Sequence, residues 1–185
     1  MKEWFELYPS LFDDAAISGI INPAMKVEAE PALSGGIVNP NQRRSEVRWL
    51  RPNNPDFRDL FARLYGLFHQ ANRKTFGFDI TYLPALQFTT YDGSNNGFFD
   101  WHNDIFWKTD GFYQRKLSMV IQLTDPSDYS GGTFEFADGI GPDQEALRKK
   151  GSVLVFPSFQ RHRVAPVTAG VRRSLVGWIE GPLWR

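Results

Sequence analysis

The pattern of apolar and polar positions changes its period near residue 78. Before that point apolar residues recur at three- and four-residue spacing. Phe57, Leu60, Phe61, Leu64, Phe68 and Ala71 make one stripe, which predicts a helix over 55–74 with one face to dock. Asn54 is placed to cap it and Pro55 to begin it. A shorter helix is expected over 11–21, capped by Asp13 or Asp14. Phe12, Ala15, Ala16, Ile20 and Ile21 supply its apolar side, and Pro23 ends it. Residues 25–32 and 45–50 read as strands on either side of a turn-rich loop that holds Ser34-Gly35-Gly36 and Asn39-Pro40-Asn41.

From Phe78 onward the period shortens to two, and Gly, Asn and Asp turns separate the runs. Strands are expected at 80–82, 87–91, 98–102, 117–124, 132–136, 152–156, 161–166 and 173–181, with one helical turn at 144–149. Short strands broken by turns suggest a sandwich or jelly roll. The fold class is therefore mainly β with supporting helices, the N-terminal helices packing on one sheet. The helical part has little to bury against without that sheet. One domain over 1–185 is expected, with 1–77 a helical support region and 78–185 the jelly-roll core.

Composition narrows the chemistry more than the fold. The 185 residues are 42% hydrophobic, with sixteen Phe and six Trp, enough for a substantial core. Twenty-one basic and twenty-one acidic side chains cancel. No global field draws the chain to nucleic acid or to a membrane, and neither is expected as a partner. No residue is cysteine, so disulfides and thiolate metal sites are excluded; any metal must be held by His, Asp or Glu. Glu3 and Glu6 interrupt the place where a signal peptide would need an apolar run, and a soluble, cytoplasmic protein is expected.

The chemistry-bearing residues gather in the second half. His102 and Asp104, two apart in an extended segment, point to one face. His162 lies in a second strand-like segment, with Val164 on its face and Arg161 and Arg163 on the other. Two imidazoles and a carboxylate can occupy three neighbouring corners of an octahedral Fe(II). The spacing equally allows a buried histidine hydrogen-bonded to Asp104 with no metal. Alternation places Arg172, Ser174, Val176 and Trp178 on one face of the last strand, and Arg173, Leu175 and Gly177 on the other. A buried guanidinium needs an anion, and no acidic residue follows until Glu180, so a ligand carboxylate is a reasonable partner for Arg172. His69, beside the helical stripe, reads as a surface or partly buried histidine. Trp101, Phe106 and Trp107 are expected to pack on the helix rather than to form an apolar rim for a substrate.

Five stretches carry a family resemblance. They are Tyr91 through Asp104, Leu117-Ser-Met-Val-Ile-Gln-Leu-Thr-Asp-Pro, Tyr129-Ser-Gly-Gly-Thr-Phe-Glu-Phe, Gly151-Ser-Val-Leu-Val-Phe-Pro-Ser, and His162 through Trp178. In order and spacing the chain resembles the 2-oxoglutarate- and Fe(II)-dependent dioxygenases, in particular the prolyl 4-hydroxylase-like branch. The resemblance implies a double-stranded β-helix of the cupin-like, jelly-roll kind, with His102, Asp104 and His162 as the Fe(II) ligands. It assigns Arg172 to the far carboxylate of 2-oxoglutarate and Tyr91 to the same co-substrate, and makes Arg115 and Trp178 substrate contacts. It implies use of O2, hydroxylation of a C–H bond and release of succinate and CO2, with ascorbate an optional reductant. Asp104 favours hydroxylation over halogenation, because halogenating relatives lack that carboxylate. A proline residue in a peptide or protein is the first substrate expected. A free amino acid or small metabolite is the alternative, and a jelly-roll module that binds metal and 2-oxoglutarate without turnover is a third reading. Phe99 stands where the branch often has a tyrosine, which removes a hydroxyl able to orient a peptide.

Overall fold

Two antiparallel sheets face each other, and helices cover the outer side of the larger one. The computed structural model describes residues 4–33, 36–105, 107 and 111–184. In chain order its elements are β1 (Glu6–Tyr8), α1 (Asp14–Ala24), β2 (Glu30–Pro31), β3 (Arg43–Arg44), β4 (Glu46–Leu50), α2 (Arg58–Ala71), β5 (Leu86–Asp92) and β6 (Phe98–His102). There follow β7 (Tyr113–Gln122), β8 (Tyr129–Gly131), β9 (Phe134–Phe136), α3 (Gln144–Arg148), β10 (Val153–Pro157), β11 (His162–Val164) and β12 (Val167–Pro182). The major sheet runs β1-β10-β7-β12-β5-β4-β2, with β8 paired to one end of β12; the minor sheet runs β3-β6-β11-β9. This is the jelly roll expected from the strand pattern.

The helices form where capping and periodicity say they should. The Asp13 side chain accepts from the Ala16 amide and starts α1. That helix begins later than the sequence pattern suggests and carries Pro23 inside its last turn, ending at Ala24. A proline there removes one bond near the frayed end, not in the middle. Asn54 caps a 3₁₀ turn over Pro55–Phe57 that leads into α2, and a π turn over Asn72–Phe76 follows α2. Gly77, at φ 70°, closes that turn by donating to Asn72 O.

Helix packing seals one face of the major sheet. Ile17, Ile20, Phe57, Phe61, Leu64 and Phe68 meet Leu86, Phe88, Leu117, Met119, Ile121, Val153, Leu175 and Ile179 in one apolar cluster. Each such side chain, fully buried, contributes about 1.5–3 kcal/mol. A second cluster, with Val120, Tyr129, Phe134, Phe156 and Val164, fills the space between the two sheets. The site lies at one end of this inner layer.

Several local expectations differ from the structure. The strand expected over 25–32 shrinks to Glu30–Pro31. Ile80–Tyr82 forms no strand; only Tyr82 makes an isolated bridge, to Glu180. Residues 1–77 contribute β1 to β4 as well as helices, and so complete the edges of both sheets. Trp101 does not reach the helices: Arg163 and Arg161 lie over its ring, at 4.7 and 5.7 Å. Trp107 is 61% exposed, and Phe106 falls outside the described residues. His69 is half-buried against the Tyr65 ring, 4.5 Å away. Among the described residues no helix is long and apolar enough to cross a membrane.

Candidate metal and co-substrate site

Strand register brings the two histidines together. His162 of β11 is the direct cross-strand partner of His102, the last residue of β6. Directly opposed residues share a face, so both imidazoles enter the space between the sheets. Their ring centroids are 4.2 Å apart. Asp104 follows two residues after β6 and is fixed by a backbone bond from its amide to Ser158 O, at 2.9 Å. The donor atoms of His102, Asp104 and His162 all lie within 4.8 Å of one another.

The hydrogen bonds decide between the two readings of this cluster. His102 Nδ1 is 2.7 Å from Asp100 O, and His162 Nδ1 is 2.8 Å from Gln160 O. A carbonyl only accepts, so both Nδ1 atoms carry a proton and each ring turns its Nε2 inward. The Nε2 atoms stand 3.7 and 3.6 Å from the Asp104 carboxylate oxygens, too far for a hydrogen bond. Burial, then the neighbouring His162, pushes the His102 pKa down to about 3, so that ring is neutral at ordinary pH. Burial works to raise the Asp104 pKa, but Arg115 and the Ser118 hydroxyl, with whatever charge the two imidazoles carry, hold the carboxyl below its usual value. Two Nε2 atoms and a carboxylate turned to one point, none hydrogen-bonded to another, are arranged as ligands are around a cation. This donor set fits Fe(II), and it does not fit a histidine–aspartate hydrogen bond.

Residues that the sequence reading passed over hold these ligands in place. Ser118 Oγ donates to Asp104 Oδ2 at 2.7 Å and lies 3.0 Å from Ser158 Oγ; both serines are fully buried. Phe99 stacks on the His102 ring at 3.4 Å, while Phe156 and Phe134 wall His162 at 4.8 and 5.3 Å. The signal for Ser118 was present in β7. Ser118 and Gln122 interrupt an apolar strand at even spacing, which puts both on the inner face.

The pocket beside the cluster runs between the sheets. Arg172, Ser174, Val176 and Trp178 all line it, as alternation predicts, whereas Leu175 and Ile179 face the helices. Arg172 is 3% exposed, in register with Tyr91 and 5.5 Å over its ring. Its Nη2 donates to Gln122 Oε1 at 2.9 Å, and Gln122 donates in turn to the Tyr129 hydroxyl at 2.6 Å. Nε and Nη1 of Arg172 are buried with no partner. Such orphaned donors fit the carboxylate of a bound 2-oxo acid. Gly132, at φ 63°, makes room for this side chain: a Cβ there would come within 2.8 Å of Arg172 Cδ.

Behind the pocket wall, Arg115 packs over Trp178 at 4.0 Å and donates to Asp104 O at 3.3 Å; Trp178 lines the pocket and Arg115 does not. The two residues expected to touch substrate thus form one pair, braced against the backbone of Asp104, a candidate metal ligand. Arg43, from β3, also lines the pocket; nothing in the two-residue strand that carries it marks it in sequence.

A two-sheet jelly roll with two imidazoles, one carboxylate and an unpaired buried arginine in a single pocket defines a metal-dependent oxygenase architecture. A family model described as the 2OG-Fe(II) oxygenase superfamily matches residues 86–180, from the first residue of β5 to near the end of β12. The chain belongs to that superfamily. A PKHD-type hydroxylase of Synechococcus sp. (strain CC9311) is 39% identical over 84 residues, 45% of this chain and 37% of that protein. One from Shewanella sp. (strain MR-7) is 31% identical over 101 residues, 55% of this chain and 44% of that protein. The chain thus spans well under half the length of these curated relatives. A Pseudomonas putida prolyl-4-hydroxylase structure superposes with a TM-score of 0.73 at 21% identity, over 95% of this chain and 91% of that one. A Trichoplax adhaerens prolyl hydroxylase, solved with a hypoxia inducible factor oxygen degradation domain peptide fragment, gives 0.74 at 16% identity, over 95% and 83%.

Proposed function

We propose that this chain is a 2-oxoglutarate- and Fe(II)-dependent dioxygenase that hydroxylates a C–H bond, with a proline residue in a peptide or protein as its target. The observation that carries this reading is the inward pair of Nε2 atoms facing Asp104, in the same pocket as the orphaned Arg172 donors. His102, Asp104 and His162 would hold Fe(II), and Arg172, steadied by Gln122, the far carboxylate of 2-oxoglutarate. Tyr91, buried beside Arg172, would wall the same ligand. Bound together, Fe(II) and 2-oxoglutarate supply the oxidising chemistry that consumes O2 and yields succinate and CO2. The protein's own contribution is placement and exclusion of water. Phe99, Phe134 and Phe156 keep the imidazoles in fixed planes, and Ser118 holds one carboxylate oxygen so that the other is free to turn to the metal.

Proline as target is supported by the prolyl hydroxylases among the similar structures and by Trp178, which lines the pocket with Arg115 packed on its ring. The test is anaerobic Fe(II) and 2-oxoglutarate binding, then succinate release over a panel of proline-containing peptides and free amino acids. Binding of both ligands with peptide-dependent succinate supports the reading. Release with free amino acids alone moves the substrate to small metabolites. Binding without any succinate makes the chain a non-catalytic module, and failure to bind either ligand overturns the proposal.

A further inference from the structure

Arg43 is a buried charge that the reading above leaves without a task. It sits at the edge of the minor sheet, in register with Phe99. Its guanidinium lies 4.3 Å over the Phe99 ring, the ring that stacks on His102. Nε donates to Ser45 Oγ at 2.8 Å and Nη1 to Leu33 O at 3.4 Å, while Nη2 is buried with no partner. The residue is only 6% exposed, and burial lowers its pKa although Tyr91 and Asp104 support its charge. Among the described residues neither Arg43 nor Arg172 has an ion-pair partner. A guanidinium buried this way calls for an anion.

The two arginines line one pocket from facing sheets. Arg172 comes from the major sheet, at the Gln122 end. Arg43 comes from the minor sheet, against the ring that packs on a metal-binding imidazole. One carboxylate and two guanidiniums leave the pocket positive before any metal enters, and a dication raises that charge further. A dianion is the ligand that offsets it.

We propose that Arg43 is a second carboxylate anchor, so that the pocket selects a dicarboxylic 2-oxo acid by both ends. Arg172 holds the far carboxylate, and Arg43 holds the carboxylate next to the keto group, beside the metal ligands. This rests on the dioxygenase reading and adds a specificity-determining residue to it.

The test separates the two ends. The chain loaded with Mn(II), in place of Fe(II), is titrated by calorimetry with 2-oxoglutarate and, into the millimolar range, with 2-oxobutyrate, which has only the keto-acid end. Arg43→Gln is expected to weaken both ligands by the same factor, tenfold or more, with Mn(II) affinity unchanged. Arg172→Gln is expected to weaken 2-oxoglutarate alone. Arg43→Lys, which keeps the charge and loses the planar fork, is expected to lose part of the affinity for both; it carries the same test should Arg43→Gln melt early. Wild-type affinity for both acids in the Arg43 variants, or a loss confined to 2-oxoglutarate, overturns the assignment. If the variants overturn the assignment while the unsubstituted chain binds Mn(II) and 2-oxoglutarate, only this inference falls; if that chain binds neither, the dioxygenase reading falls with it.

Discussion

The two faces of the major sheet are equally buried, but only the inner one mixes polar side chains with its apolar ones. On the helix side, Leu86, Phe88, Leu117, Met119, Ile121 and Ile179 are all fully buried, and all are hydrocarbon or thioether. On the inner side the same strands present Gln87, Thr89, Ser118, Gln122, Arg172 and Ser174, each 5% exposed or less. The first face is complete without a ligand, since close packing is all it needs. The second is not: Gln87 donates to Thr89, Ser118 to Asp104, and Arg172 to Gln122, and the arginine still keeps unpartnered donors. Depth in the structure therefore separates core from surface but not stability from function. That second distinction follows the pleat, residue by residue.

Substitutions on the two faces should separate binding from stability. The largest effect is expected from His162→Ala, which should abolish measurable metal binding in calorimetry and leave the metal-free chain folded by circular dichroism. Next is Phe88→Ala on the helix face. It should cost about 3–5 kcal/mol in urea unfolding, with metal affinity retained by the molecules that remain folded. Arg172→Met should invert that outcome. Loss of charge-assisted bonds worth about 1.5–3 kcal/mol should weaken 2-oxoglutarate at least tenfold. Unfolding free energy should hold or rise, because an unpaired buried charge has been removed. Ser118→Ala should lower metal affinity about tenfold by freeing the Asp104 carboxylate. The smallest effect belongs outside both faces. Glu135→Gln breaks a half-exposed pair with Arg163, 2.7 Å long, and should cost under about 1 kcal/mol. A metal-binding defect in Phe88→Ala, or an unfolding defect in Arg172→Met, would break the division between the faces.

Much of this arrangement is legible in sequence because β-strand alternation is strict. The strand Phe98–His102 has the bounds that its pattern predicts, and β12 turns Arg172 and Leu175 to opposite sides as alternation requires. Asp13 and Asn54 cap the elements they were expected to start. What escaped has a physical reason in each case. A period cannot be read from two residues, so β3 and its Arg43 looked like part of a turn-rich loop. Residues 80–82 have strand composition but find no neighbour beyond one bridge. Ser118 and Gln122 sat in an apolar run whose hydrophobicity masked two even-numbered polar positions. The aromatic cluster at Trp101 and Trp107 was misplaced because local composition does not reveal which arginines, Arg161 and Arg163, come across from another strand.

The cross-strand pairing of His102 with His162 also bears on how the minor sheet holds together. Its strands are short, two to five residues, and the paired histidines stand sixty positions apart in the chain. An ion bound by both would act as a cross-link closing a long loop, the kind of tie that most reduces the freedom of an open chain. It would also report strand register, because a slip of one residue turns an imidazole to the opposite side. Loading the site should therefore slow amide hydrogen exchange along β6 and β11 more than in α2, whose packing owes nothing to the ion.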